Sequence, residues 1–187
     1  QPAVLSSRRR VAILRIITSV LAAGAICLAL ESPAAAQGMF TASVGNVFGG
    51  DAPSKKSAWA VSIGGGGAHG IGSELEYSET RKFFETAEGV AYGKVSTLMP
   101  GLFVMVPIGK VRPYGVVGFG FIRQRVDDNA AGLTAQSRND TGYSVGAGVT
   151  FQFARSAGLR ADLRRFKVRK ADGISYQRFL IGIVLGG

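Results

Sequence analysis

Apolar residues alternate with small or polar residues in eight stretches of the chain from about Phe40 onward. The most regular stretch runs from Tyr143 to Phe153, where every odd-numbered residue is apolar or aromatic and Ser, Gly, Thr and Gln lie between. Residues 59–64, 117–121 and 178–186 follow the same two-residue period. Because successive side chains of a strand point to opposite faces, this period predicts β-strands with one apolar face and one small or polar face.

The connections between these stretches alternate between long and short. The long, charged connections are Gly49–Ser57, Thr80–Ala91, Val126–Thr141 and Val168–Ile174. The short connections are Gly65–Gly70, Pro107–Arg112 and Ala154–Ala157. Outer-membrane barrels have short periplasmic turns and longer extracellular loops. We therefore predict an all-β fold, an eight-stranded antiparallel up-and-down transmembrane β-barrel of the bacterial outer membrane.

Alternation alone does not say whether the apolar face points outward to lipid or inward, as in a water-soluble lipocalin-like barrel. The polar face is rich in glycine and carries charges, which favours a narrow polar interior. Aromatic residues near the strand ends match the interfacial girdles of membrane barrels. These aromatic residues are Phe40, Trp59, Tyr77, Tyr143 and Phe153. The pattern therefore favours an outward apolar face.

Residues 1–36 have the anatomy of a cleaved secretory signal peptide. Four arginines between positions 8 and 15 precede an apolar run, Ile16 to Leu30, and a small-residue site ends at Ala36. The run is shorter than the roughly 20 apolar residues of a membrane-spanning helix. We expect cleavage after Ala36, which leaves residues 37–187 as the barrel. The only cysteine, Cys27, lies within the apolar run, so the exported part is expected to use neither a disulfide nor a thiol.

Charged residues of the third and seventh strands fall on the interior face of the predicted barrel. Leu75 and Leu163 have the parity of the outward face, so the charged residues beside them point inward. With one residue of the eighth strand, the set is Glu74, Glu76, Arg160, Asp162, Arg164 and Arg178. An eight-stranded barrel is only wide enough for side chains to fill it, and an unpaired buried charge is costly. We predict a carboxylate–guanidinium network that plugs the lumen; a gated proton or ion path is the alternative.

The chain is basic, with a formal net charge of +10. Ten basic residues lie in or beside the long connections: Lys55, Lys56, Arg81, Lys82, Arg123, Arg125, Arg138, Lys167, Arg169 and Lys170. A cationic rim would attract the phosphates of lipopolysaccharide, and ordinary solvated loop charge is the alternative. A nucleic-acid partner is not expected, because no aromatic residues for stacking are interleaved with these charges in one element.

Three segments resemble the small outer-membrane β-barrel family that includes the transmembrane domain of OmpA and the OmpX/Ail group. They are Gly72–Tyr77, Arg112–Gly120 and Leu159–Phe166. The resemblance implies periplasmic termini, extracellular loops, insertion by the barrel-assembly machinery and lumen carboxylates paired with arginines. It also implies a monomer in outer-membrane lipid that offers its loops to a host or surface ligand. Family members end on an aromatic residue, whereas the last residues here are Val184-Leu185-Gly186-Gly187.

The residues offer little for catalysis or metal binding. The only histidine, His69, lies in the second connection, and no serine follows it. Ser73 is predicted to face lipid and Glu74 the lumen, so they cannot form one site with it. We expect no enzyme activity, no cofactor and no metal. The predicted function is a non-enzymatic barrel for envelope integrity or surface interaction, and a lipid-modifying barrel enzyme or a small pore are the alternatives.

Overall fold

The computed structural model describes residues 37–52, 56–66, 70–81, 92–127, 136–170 and 173–186. The predicted signal peptide, His69, Lys55 and Lys82 lie outside these residues. The described part contains eight strands: β1 Gln37–Phe48, β2 Lys56–Gly66, β3 Ile71–Arg81, β4 Tyr92–Met105, β5 Val111–Asp127, β6 Gln136–Ala154, β7 Ala157–Val168 and β8 Ser175–Leu185.

The eight strands form a closed barrel in sequence order. Every neighbouring pair is antiparallel, and β1 closes the sheet by pairing with β8 from Phe40 opposite Leu185 to Phe48 opposite Gln177. Closure leaves no strand edge with unpaired backbone groups, which is the condition for a sheet to lie in hydrocarbon. The prediction of an eight-stranded up-and-down barrel is confirmed.

The barrel has two unlike ends. The long-loop end carries the connections 49–55, 82–91, 128–135 and 169–174, and the short-turn end carries 67–70, 106–110 and 155–156. The predicted alternation of long and short connections is therefore correct. Two boundaries differ from the prediction, because β5 continues to Asp127 and β6 begins at Gln136, so their connection is shorter than Val126–Thr141. Sixteen cross-strand pairs, as far as Val126 with Gln136, extend this hairpin.

Pro100 does not end β4, although it interrupts the alternation there. Its neighbours Leu98 and Gly101 pair with Phe121 and Gly118 of β5, and only the two intervening positions lack a partner in that ladder. Proline lacks the backbone N–H of a ladder bond, so the loss is local and the register continues unchanged.

The outer wall is apolar along all eight strands. Large hydrophobic side chains that would face water in a soluble protein are exposed there, among them Val44, Ile63, Val117, Phe151 and Ile181, each about half exposed or more. A belt of this extent is expected only on a surface that contacts lipid. In the part of the chain that the structure describes, no helix is long and apolar enough to cross a membrane.

The lumen is filled in layers. Toward the long-loop end, an apolar cluster packs Val47, Val95, Ile122, Phe166 and Leu180 with almost no exposure. Toward the short-turn end, Phe103, Tyr114 and Val116 form a smaller cluster with Met39 and Met105 against it. The charged residues of β3, β7 and β8 lie between these clusters.

Candidate functional site

The six charged residues predicted for the lumen are all buried and lie together. Glu74 lies between two arginines, with Oε2 3.0 Å from Nη2 of Arg160 and Oε1 2.5 Å from Nη2 of Arg164. Asp162 is next to both on the same strand, with Oδ1 2.8 Å from Nε of Arg164 and Oδ2 3.4 Å from Nη2 of Arg160. Each of these arginines therefore contacts a carboxylate of β3 and one of β7.

Glu76 extends the same network to the eighth strand. Nη2 of Arg178 donates to both carboxylate oxygens of Glu76, at 2.7 and 2.8 Å. Nη1 of Arg164 lies 3.5 Å from Oε2 of Glu76. The three carboxylates and three guanidiniums balance in charge, and ion pairs connect them from β3 across to β7 and β8.

Tyr114 of β5 belongs to this network, although the sequence analysis did not include it. Its hydroxyl donates to Oδ2 of Asp162 at 2.6 Å and accepts from Nε of Arg160 at 2.5 Å. The guanidinium carbon of Arg160 lies 4.5 Å from the centroid of the Tyr114 ring. The signal was available in the sequence, because Tyr114 has the inward parity of the glycines at 118 and 120.

Two inward aromatic rings support Arg178 from the other side. Its guanidinium carbon lies 4.7 Å from the centroid of the Phe166 ring, within the range of a cation–π contact. Phe166 stacks on Tyr176 with ring centroids 5.0 Å apart. Arg178 thus joins the charged layer to the apolar cluster at the long-loop end.

Inward glycines make room for these large side chains. A Cβ at Gly146 would lie 2.6 Å from Cγ of Arg164 and 2.4 Å from a backbone oxygen of β7. A Cβ at Gly148 would lie 2.3 Å from the hydroxyl oxygen of Tyr114. The small residues on the inner face of β6 are therefore required by the bulk of the arginines and the tyrosine opposite them.

The ten basic residues predicted for the rim separate into different positions. Those with outward side chains on strands are Arg81, Arg123, Arg125 and Lys167, and Arg169 is exposed just beyond β7. Lys56 pairs in register with the buried inward residue Val47. Arg138 and Lys170 form ion pairs with Asp140, as Arg81 does with Glu79. Lys55 and Lys82 are not described. Several of these residues lie on strands beside the long connections rather than within them, because β3, β5 and β6 extend past the loop boundaries that were predicted. Their contact with lipopolysaccharide stays a prediction.

The outward cations of β3, β4 and β5 form a row on the outer wall. Arg81 is opposite Lys94, and Lys94 is opposite Arg125. Glu79 lies between the first two, with its carboxylate oxygens 3.0 Å from Nε of Arg81 and 2.5 Å from Nζ of Lys94. Arg125 forms no ion pair with any side chain that the structure describes. Because like charges directly opposite each other destabilise a sheet, this row is a surface at which an anion would relieve repulsion.

The described residues contain no group of three or more His, Cys, Asp or Glu side chains that could hold a metal ion. His69, the base of the conceivable catalytic site, is not among them. The expectation that the protein is not an enzyme stays a prediction.

Solved structures with the same fold come from several bacterial outer membranes. The structure of Neisserial surface protein A aligns with a TM-score of 0.65 and 15% identity over 83% of this chain and 99% of that chain. The N-terminal barrel domain of OprF from Pseudomonas aeruginosa gives 0.57 and 17%, over 81% and 97%. Ail, the attachment invasion locus protein of Yersinia pestis, gives 0.55 and 17%, over 82% and 97%. At these identities the likeness establishes the fold alone. No curated protein sequence matches the chain.

Residues 18–185 match the family described as "Outer membrane protein beta-barrel domain". The match spans the eight strands whose closed topology and lipid-type exterior are described above. The chain therefore belongs to the outer membrane protein beta-barrel domain family, and its place is the bacterial outer membrane.

Proposed function

We propose that the protein is a non-enzymatic, non-conducting barrel that binds the phosphates of lipopolysaccharide through its outer wall at the long-loop end. The observation that carries the proposal is the row of outward cations formed by Arg81, Lys94 and Arg125. In outer-membrane barrels the longer loops are extracellular, so this orientation brings the row to the level of the outer leaflet. The charge and the position together favour an anionic lipid head group.

The excess of positive charge at the row favours a phosphate group as its ligand. Arg123 lies next to the row on β5, and its Nε donates to Ser137 at 3.3 Å. Among the side chains that the structure describes, four cations, Arg81, Lys94, Arg123 and Arg125, share this wall with one carboxylate, Glu79. Arginine and lysine bind phosphate through charge-assisted hydrogen bonds, and the neighbouring apolar belt would contact acyl chains.

A comparison of two charge-matched variants tests this proposal. Arg81→Gln/Arg125→Gln removes two cations of the row, and Arg165→Gln/Lys167→Gln removes two outward cations of β7, which are not part of the row. In phosphatidylcholine nanodiscs, the first variant is expected to bind purified lipopolysaccharide several-fold more weakly, since exposed charge pairs contribute about 0.2–1 kcal/mol each. The second should bind like the unchanged protein. Equal losses in both variants, or no loss in the first, would contradict the proposal.

The layers of the lumen support the non-conducting part of the proposal. The charged network is paired, and tightly packed apolar side chains lie between it and the long-loop end. A continuous water path through an eight-stranded barrel would have to displace both. In planar bilayers we expect no current steps, either for the unchanged protein or after Glu74→Gln. Reproducible steps that change with Glu74→Gln would favour the small pore instead.

A second candidate is recognition of a sulfated or phosphorylated glycan outside the cell by the same cations. It is favoured by the structure of Ail in complex with the heparin analogue sucrose octasulfate, together with the exposed positions of Arg123 and Arg125 near the long-loop end. Titration with sucrose octasulfate separates the two candidates. Binding to sucrose octasulfate but not to lipopolysaccharide, with both titrated in phosphatidylcholine nanodiscs, would favour the glycan.

A further inference from the structure

The short-turn end contains a cavity that neither the plug nor the cationic row explains. It has a volume of about 230 Å³. Its lining includes the apolar side chains of Met39, Phe103, Met105 and Val184 and the polar side chains of Arg112 and Thr150. Most of the remaining lining consists of glycine, so the backbone of β1, β2 and β7 approaches the space closely. The cavity therefore offers both apolar and polar contacts.

Arg112 differs from the three arginines in the middle of the lumen. Arg160, Arg164 and Arg178 each contact a carboxylate, whereas Arg112 has no ion pair among the described residues. Its Nε is buried and has no hydrogen-bond partner within that part of the chain. The hydroxyl of Thr150, which is directly opposite on β6 and buried, lacks one as well. Arg112 and Thr150 therefore lie side by side on neighbouring strands and line the same cavity.

The surroundings of Arg112 carry further positive charge. A cleft of about 490 Å³ beside the cavity shares Arg112 and Gln152 with it and is also lined by Lys110 and Arg155. Among the described residues, no acidic residue lines the cavity or the cleft. The combined site is therefore cationic, and charge complementarity requires an anion.

We propose that this cavity binds an anionic amphiphile with a short acyl chain. Its head group accepts hydrogen bonds from Arg112 and Thr150, with Lys110 and Arg155 adding positive charge, and its chain lies against Phe103 and Met105. The volume is below the roughly 300–1,000 Å³ of pockets for drug-sized ligands, so a single short chain fits and a two-chain lipid does not. A free inorganic anion would leave the apolar wall without a partner. In the orientation of outer-membrane barrels, the site opens toward the periplasm.

Binding can be followed by the NMR signals of the three methionines of the chain, because each lies at a known depth in the lumen. Met39 and Met105 line the cavity, whereas Met99 is buried in the apolar cluster toward the long-loop end. With ¹³C-methyl methionine in phosphatidylcholine nanodiscs, decanoate is expected to shift the Met39 and Met105 signals saturably and leave Met99 unchanged. Decanol, which has the chain without the charge, and inorganic phosphate, which has the charge without the chain, should each bind at least about tenfold more weakly.

Variants distinguish decanoate binding at this site from its nonspecific partition into the lipid. Arg112→Gln is expected to weaken decanoate binding at least about tenfold, because a charge-assisted hydrogen bond is lost, and to leave decanol binding unchanged. Arg112→Lys should retain most of the affinity, and Arg165→Gln, the same charge change on the outer wall, should retain all of it. Three results would overturn the proposal: stationary Met39 and Met105 signals, equal shifts with decanol, or equal decanoate affinity in Arg112→Gln.

Discussion

The middle of the lumen and its short-turn end use the same residue type for different purposes. Arg164 is buried, and its guanidinium contacts Glu74, Glu76 and Asp162. Arg112 also points into the barrel, but it lies at a cavity with no carboxylate in its lining. A paired arginine surrounded by packed side chains fixes strands to one another, and an unpaired arginine beside open space is available to a ligand. Partners and packing, rather than residue type or orientation, separate the two roles.

The largest loss of folding stability is expected when one carboxylate of the charged network in the lumen is removed. Glu74→Ala leaves Arg160 and Arg164 each without one contact in a buried site. Breaking a buried ion pair on one side costs about 3–5 kcal/mol. Urea unfolding in lipid vesicles, followed by the change in gel mobility between folded and boiled protein, measures the loss. An unchanged midpoint would mean that the network does not hold the strands together.

A smaller loss is expected when the bridging hydroxyl is removed. Tyr114→Phe keeps the ring over Arg160 but deletes the group that donates to Asp162 and accepts from Arg160. Hydrogen bonds to charged groups contribute about 1.5–3 kcal/mol, so the free energy of unfolding should fall within that range. The matched control is Tyr143→Phe, since Tyr143 is exposed on the outer wall. A loss no larger than that of the control would exclude Tyr114 from the network.

A comparable or slightly smaller loss of folding stability is expected when a methyl group is added at an inward glycine. Gly148→Ala places a methyl group against the hydroxyl of Tyr114 and a backbone oxygen of β7, whereas Gly115→Ala meets nothing closer than 4.0 Å. Overpacking costs about 1–3 kcal/mol, so only the first variant should be destabilised. Unfolding titrations of the pair measure the difference. Equal stability of the two variants would show that the groups around position 148 can shift to accommodate a methyl group.

The alternation of residues, the alternation of long and short connections and the charges on the polar face were together sufficient to predict the strands, their closure and the inward position of all six charged residues. They could not say which carboxylate meets which arginine, because contacts such as Glu76 with Arg178 depend on how the strands come together around the barrel. The role of Tyr114 followed from the same parity but was missed, because a tyrosine does not stand out among charged residues. Arg81 and Arg138 fall within the predicted long connections but lie on strands, because cross-strand pairing, which a single strand does not reveal, extends β3 and β6 beyond the regular alternation.

The most direct measurement is the free energy of unfolding of Arg164→Gln and Arg112→Gln, determined side by side in the same lipid. Both variants lose one inward arginine and the same charge. The account predicts a loss of about 3–5 kcal/mol for Arg164→Gln, which leaves buried carboxylates without a partner. It predicts a change within about 0.5 kcal/mol for Arg112→Gln, which breaks no ion pair with a described residue. Equal losses in the two variants would contradict the distinction between a paired plug and an unpaired ligand site.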